Sequence, residues 1–232
     1  AVIYIFSPQI DWWYFNKRPP RLPNPVRHLL ETKNAFYQRL KPEGKLRFRN
    51  RMALYREANE FMPQAMEEVP IDIQYAIAAS AVTLTYSLED YLFSKFEHII
   101  VYPHPFPSPQ YPEDWHTSEY FVEDGVIMFS ADHLMRGFFE PRKYFNTGIY
   151  EYARVFKHMN PNKNYPNIDS NIWQKIESIS GFKEDGIRKW IGLPEPDLYA
   201  ICTVLFFIFP NKIKSELPDV YQNLSEIFNI KP

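Results

Sequence analysis

Proline restricts this chain more than any other residue type does. The 232 residues contain 21 prolines and only 7 glycines. Because proline fixes φ and has no amide hydrogen, it ends helices and is excluded from the interior strands of sheets. Clusters at 19–25, 103–112 and 161–166 therefore divide the chain into short elements joined by loops. The scarcity of glycine argues against phosphate-binding loops, and no GxGxxG or GxxxxGK[ST] pattern occurs.

Length, charge and cysteine content narrow the class of protein. A chain of 232 residues suits one globular domain, alone or with a tail. The 26 Lys and Arg residues against 28 Asp and Glu give a net charge of −2, which argues against nucleic acid as a partner. Cys202, the single cysteine, excludes an intramolecular disulfide framework and a zinc ribbon. Its apolar neighbours predict a buried, unreactive thiol.

Hydrophobic patterning between the prolines predicts helices around a small sheet. We predict a strand at 97–102 and a hairpin of strands 120–122 and 126–129, because Asp124-Gly125 is a strong hairpin turn. The predicted helices cover 34–40, 42–61, 71–88, 146–159, 171–179, 186–191, 196–209 and 217–228. This order of elements predicts an α+β fold.

The N-terminal segment is apolar, then aromatic, then basic. Residues 1–6 are mostly apolar, Trp12 and Trp13 follow, and Lys17 and Arg18 begin a basic group. Two interpretations stay open: an aromatic arm packed on the domain, or the inner edge of a membrane span that precedes Ala1. We predict an arm over 1–26 and a single domain over 27–232. The expected location is the cytoplasm, at the inner face of a membrane if such a tether exists.

Four stretches, in colinear order, resemble the Mlc titration factor A family of glucose-regulated zinc metallopeptidases. They are residues 35–43, 99–106, 125–130 and 196–210, so that the resemblance extends over about residues 30–232. The resemblance implies a zincin-like fold, with helices packed around a small mixed β-sheet. It also implies a zinc-dependent peptidase site, but the residues at the family's metal-ligand positions argue against bound zinc.

The resemblance places the family's helical HExxH motif at residues 150–154. In such a motif two histidines four residues apart bind one zinc ion, and the glutamate between them polarises the zinc-bound water. This sequence keeps Glu151, has Tyr150 and Arg154 at the histidine positions, and has Asp197 at the position of the third ligand. A phenol with a pKa of about 10 is a poor zinc ligand, and a guanidinium cannot bind zinc at all. The resemblance therefore predicts the fold, a vestigial metal site and no zinc cofactor.

Charge complementarity suggests what replaces the metal. Arg154 would put a fixed positive charge where the family keeps zinc, and we predict an ionic bridge from Arg154 to Asp197 or Glu151. The alternative is an ordinary exposed pair of Glu151 and Arg154, spaced i,i+3 on one helix. The bulk of Tyr150 and Arg154 further predicts that these side chains fill much of the metal site.

The histidines offer little replacement for the missing ligands. None of the six lies four residues from another, and His158 lies seven residues, or about 10 Å, beyond Glu151 along a helix. His104 and His116 flank the proline-rich loop and could converge with His98 or His133. Scattered histidines with local hydrogen bonds are the alternative.

Two functions follow from these residues. The first is a catalytically inactive homologue of a zinc peptidase that acts as a protein- or peptide-binding or regulatory domain. The second is an active zinc-dependent peptidase with non-standard metal ligands and Glu151 as general base. No residue identifies the protein or peptide partner.

Overall fold

The computed structural model describes residues 17–230, so the predictions for residues 1–16, including Trp12 and Trp13, lie outside it. The helices are α1 Asn24–Lys33, α2 Ala35–Gln38, α3 Pro42–Glu57, α4 Ile71–Thr85, α5 Ala131–Phe139, α6 Thr147–Met159, α7 Trp173–Ser180, α8 Glu184–Ile191, α9 Leu198–Ile208, α10 Pro210–Glu216 and α11 Pro218–Ile227. The strands are β1 Glu60–Pro63, β2 His98–Tyr102, β3 Ser118–Phe121 and β4 Val126–Ser130. The predicted α+β fold is confirmed.

The four strands form one mixed sheet in the order β1-β2-β4-β3. Strands β1, β2 and β4 are parallel, whereas β3 is an edge strand that pairs antiparallel with β4. The predicted hairpin is confirmed, with Ser118 opposite Phe129 and Phe121 opposite Val126. Gly125 makes the turn with a φ of +60°, in the left-handed region that glycine adopts without steric cost.

Two apolar helices form the centre of the core. In α4, the residues from Ala76 to Ala79 are completely buried, because small side chains let α3, α5 and α6 approach closely. Helix α9 is apolar on all sides, and Ala200, Ile201 and Cys202 are fully buried. Because α6 packs on both α4 and α9, and also beside β3, the helix with the candidate site is held on three sides.

Strand β1 corrects the prediction that one helix extends over 42–61. Helix α3 ends at Glu57, and the amide of Glu60 donates to the carbonyl of Glu97 at 2.9 Å. Phe61 then pairs with Ile99 of β2. This pairing joins segments almost 40 residues apart in sequence, so local patterning does not reveal it.

Helices α1, α5 and α10 are also absent from the sequence-based prediction. Helices α1 and α10 both have proline in the first turn, where its missing N–H costs no hydrogen bond, so these prolines begin helices rather than loops. Leu22 and Val26, which belong to the predicted arm, pack in the main core. The division of the chain at residue 26 stays a prediction. No helix within residues 17–230 is long and apolar enough to cross a membrane.

Candidate functional site

Helix α6 carries three of the four predicted site residues. Its start is fixed by Asn146, whose side-chain oxygen accepts a hydrogen bond from the amide of Ile149 at 2.9 Å. Residues 147–153 are all buried, because the helix is covered by α4, α9 and β3. Helix packing therefore places Tyr150 and Glu151 in the interior, and Arg154, one turn later, at its border.

Glu151 is fully buried, and both of its carboxylate oxygens are bound by protein donors. Nη1 of Arg154 lies 2.9 Å from Oε1 and 3.1 Å from Oε2. The hydroxyl of Ser118 donates to Oε2 at 2.7 Å. A buried carboxylate is tolerated only when it is paired and hydrogen-bonded, and these contacts meet both conditions.

The guanidinium of Arg154 lies between this carboxylate and two aromatic rings. Its side chain is 20% exposed, and its central carbon lies 5.1 Å from the ring centre of Tyr120 and 5.8 Å from that of Tyr150. Burial alone would lower the pKa of Arg154, but Glu151 and the two phenols outweigh burial and raise that pKa above its ordinary value. Arg154 is therefore a permanent cation.

The predicted ion pair is confirmed for Glu151, whereas Asp197 has other partners. Nζ of Lys157 lies 3.4 Å from Oδ2 of Asp197. The other carboxylate oxygen accepts a hydrogen bond from the amide of Ala200 at 3.1 Å and so caps the start of α9. That the Arg154 bridge replaces a metal ion stays a prediction.

Tyr150 links the two helices of the site. The backbone amide of Asp197 donates to the Tyr150 hydroxyl at 3.0 Å, so α6 is joined to the beginning of α9. Burial raises the pKa of Tyr150 above its ordinary value, although the neighbouring Arg154 acts in the opposite direction. The phenol consequently stays protonated at neutral pH, which makes it a still poorer metal ligand.

A cleft of about 620 Å³ opens in front of these residues. Its walls include Tyr120 of the edge strand, Arg154, Lys157 and His158 of α6, Tyr165, and the segment 195–197 before α9. The wall is therefore aromatic with charges of both signs. Tyr150 fills the interior behind the cleft, as its bulk predicts, while the space beside Arg154 stays open.

These residues do not fit the zinc ion that the family resemblance implies. Tyr150 is a protonated hydrogen-bond acceptor, Arg154 is a cation and Asp197 is a helix cap, so none of the three positions offers a free imidazole or carboxylate. Over residues 17–230, no three His, Cys, Asp or Glu side chains form a group that could hold a metal ion.

The histidines are mostly engaged in separate local contacts. His98 lies 3.1 Å from Glu60, fully buried His116 lies 3.0 Å from Glu119, and Nδ1 of His133 lies 3.2 Å from the Ser130 hydroxyl. His158 packs its ring against Tyr120. These contacts match the predicted alternative of scattered histidines, although His104 lies near enough to His133 that its charge, after the larger effect of burial, helps to lower the pKa of His133.

Ser118 and Tyr120 are site residues that the sequence analysis missed. They lie two apart on β3, so both side chains point to the face of the sheet that α6 covers. The predicted strand 120–122 includes Tyr120 but starts two residues after Ser118, so the alternation of a strand extended to residue 118 was the signal that could have placed them on one face. The sequence pattern does not predict that β3 lies beside α6, because this contact depends on tertiary packing.

Comparison with known families adds one match. The sequence model of a family described as glucose-regulated metallo-peptidase M90 matches residues 11–229. No curated protein matches the chain.

Proposed function

Since the chain belongs to the glucose-regulated metallopeptidase M90 family, we propose that it is an inactive member that binds a peptide or protein in the cleft beside Arg154. The family makes the chain metallopeptidase-like, with a zincin-like fold. We propose three things beyond the family assignment: the chain is inactive, it has lost zinc, and it binds a partner. The predicted location in the cytoplasm, with or without a membrane tether, belongs to it as well.

The ion pair between Arg154 and Glu151 carries this proposal. A general base must be free to accept a proton from water within hydrogen-bond reach. Both oxygens of Glu151 are already bound, and its side chain is fully buried. Releasing Glu151 for catalysis would leave a buried charge without its partner, at a cost of about 3–5 kcal/mol. This cost argues against the alternative function, in which Glu151 acts as general base beside non-standard ligands.

The cleft supports binding without catalysis. Its aromatic and proline side chains offer rigid apolar surface, and Lys157 and Glu195 offer charge of both signs. Tyr120 of edge strand β3 lines one wall, and its ring offers an apolar surface for a peptide side chain. The cleft therefore suits a short peptide segment of a partner protein.

Metal content tests the loss of zinc. We expect protein purified without chelators to contain well below one zinc ion per chain by inductively coupled plasma mass spectrometry. The matched variant is Y150H/R154H/D197E, which restores the family's ligand types and should gain zinc if these positions are equivalent. Near-stoichiometric zinc in the unchanged chain, together with cleavage of quenched fluorescent peptides, would establish the alternative function instead.

A random-sequence peptide library displayed on phage tests the binding role. We expect selected peptides to bind the unchanged chain and to lose at least tenfold in affinity in the cleft variants Y165A and K157A. The control variant K189Q removes an exposed charge in α8 and should bind normally. Selected peptides that bind all variants equally would contradict the proposed cleft.

A further inference from the structure

A second cleft, of about 330 Å³, lies where α9 ends and α10 begins. Its apolar lining comes from Ile208, Phe209 and Pro210, and three cations line it as well: Arg39, Arg142 and Lys212. The cations come from three separate parts of the chain: the end of α2, the loop between α5 and α6, and α10. Folding therefore gathers positive charges that the sequence keeps apart.

In the described part of the chain, these cations are not paired with carboxylates. Within residues 17–230, no ion pair joins Arg39, Arg142 or Lys212 to an acidic side chain. Burial and the neighbouring charge of Arg142 both lower the pKa of Arg39, which indicates two guanidinium groups close enough to repel each other. All three residues are exposed, so water and salt screen their mutual repulsion, and an anion can reach them directly from solvent.

A hydrogen bond to the backbone orients the guanidinium of Arg39 at this cleft. One terminal nitrogen, Nη2, donates to the carbonyl of Phe207 at 3.1 Å, which fixes the guanidinium against the end of α9. Its remaining N–H groups are not used in that bond. A guanidinium with a fixed orientation loses less entropy when it binds an oxyanion through two parallel hydrogen bonds.

We propose that Arg39, Arg142 and Lys212 bind a phosphate group, and that Ile208, Phe209 and Pro210 contact the part of the ligand attached to it. Phosphate matches the site better than a carboxylate, because three cations face up to two negative charges and three acceptor oxygens. The phosphate belongs to a soluble phosphorylated molecule or to a lipid headgroup, which share this chemistry. The site is separate from Glu151 and does not depend on the proposed function.

Isothermal titration calorimetry with pyrophosphate tests the soluble source. We expect saturable binding at low ionic strength, and a rise in Kd of about tenfold in both R142Q and K212Q. R39K keeps the charge of Arg39 but removes its planar fork, and should also weaken binding. The control K189Q removes one exposed charge elsewhere and should leave Kd within a factor of about two.

Co-sedimentation with vesicles tests the lipid source. Vesicles of phosphatidylglycerol and phosphatidylcholine should retain the unchanged chain more than R142Q only if the phosphate is a headgroup. Binding of pyrophosphate that depends on Arg142, with no such vesicle effect, assigns the site to a soluble ligand. The proposal is overturned if neither probe binds, or if K189Q weakens binding as much as R142Q and K212Q do.

Discussion

At the scale of single residues, the environment of Arg154 differs from that of Arg136, which also pairs with a carboxylate. Its partner Glu151 has no exposed side-chain surface, whereas the pair of Arg136 and Asp132 is 53% and 32% exposed. Water screens the second pair but not the first. The two pairs therefore contribute differently to the stability of the fold, although their N–O distances are similar.

Substitution of Arg154 by Met should therefore lower the free energy of unfolding by about 3–5 kcal/mol, because Glu151 would stay buried without a counter-charge. The matched variant R136M breaks the exposed pair and should cost less than about 1 kcal/mol. Urea denaturation followed by circular dichroism measures both. The double variant E151L/R154M should regain much of the lost stability, and equal losses in R154M and R136M would contradict the structural weight given to the pair.

At the scale of elements, the turn between β3 and β4 determines where the edge strand lies relative to α6. Gly125 has a φ of +60°, and a Cβ atom added there would lie 2.6 Å from the backbone carbonyl oxygen of Lys95. Gly181 after α7 has a φ of +79° but nothing within 4 Å of such an atom. The two glycines share a left-handed backbone and differ in the space beside it.

Alanine at position 181 should cost only the strain of a left-handed backbone, about 1–2 kcal/mol. Alanine at position 125 should cost more, because the Lys95 backbone must also move. Urea denaturation of G125A and G181A compares the two variants. In G125A we also expect faster hydrogen exchange at the amides of β3, which would not be altered in G181A. Similar costs and similar exchange in both variants would show that the close approach to Lys95 has no energetic effect.

At the scale of the whole molecule, the core contains a thiol and several phenols whose pKa values are raised by burial. Burial raises the pKa of the Cys202 thiol from its ordinary value of 9.0 to about 12, and the nearby Asp197 adds to this rise. Burial also raises the pKa values of Tyr55, Tyr150, Tyr152 and Tyr199. In the unfolded chain these groups would titrate near their ordinary values.

The stability of the fold should consequently fall as pH rises above about 9. Below that pH both states hold these protons, whereas between pH 9 and about 12 the unfolded chain releases the Cys202 proton and the native chain keeps it. Each group so shifted lowers stability by about 1.4 kcal/mol per pH unit in its window. Urea denaturation from pH 7 to pH 11 measures the slope. C202A should give a shallower slope between pH 9 and pH 10, and a slope unchanged by this substitution would contradict the assignment.

The sequence by itself determined those features that depend on neighbouring residues. The helices predicted at 146–159 and 196–209 and the Asp124-Gly125 hairpin follow from local spacing and turn chemistry, and the structure confirms all three. The residue types at positions 150, 154 and 197 also predict, through the family resemblance, that the zinc ligands are changed, because a phenol and a guanidinium are not zinc ligands at neutral pH.

Only the tertiary structure decided which of these residues meet. Arg154 pairs with Glu151 rather than Asp197, Ser118 donates to the same carboxylate, and β1 pairs with β2 instead of continuing α3. Each of these contacts except the first joins residues more than 30 positions apart, and no local pattern predicts them. These contacts form because the complete fold must bury enough apolar surface to offset the entropy of ordering the chain. It must also pair each buried charge, and both conditions involve residues far apart in sequence.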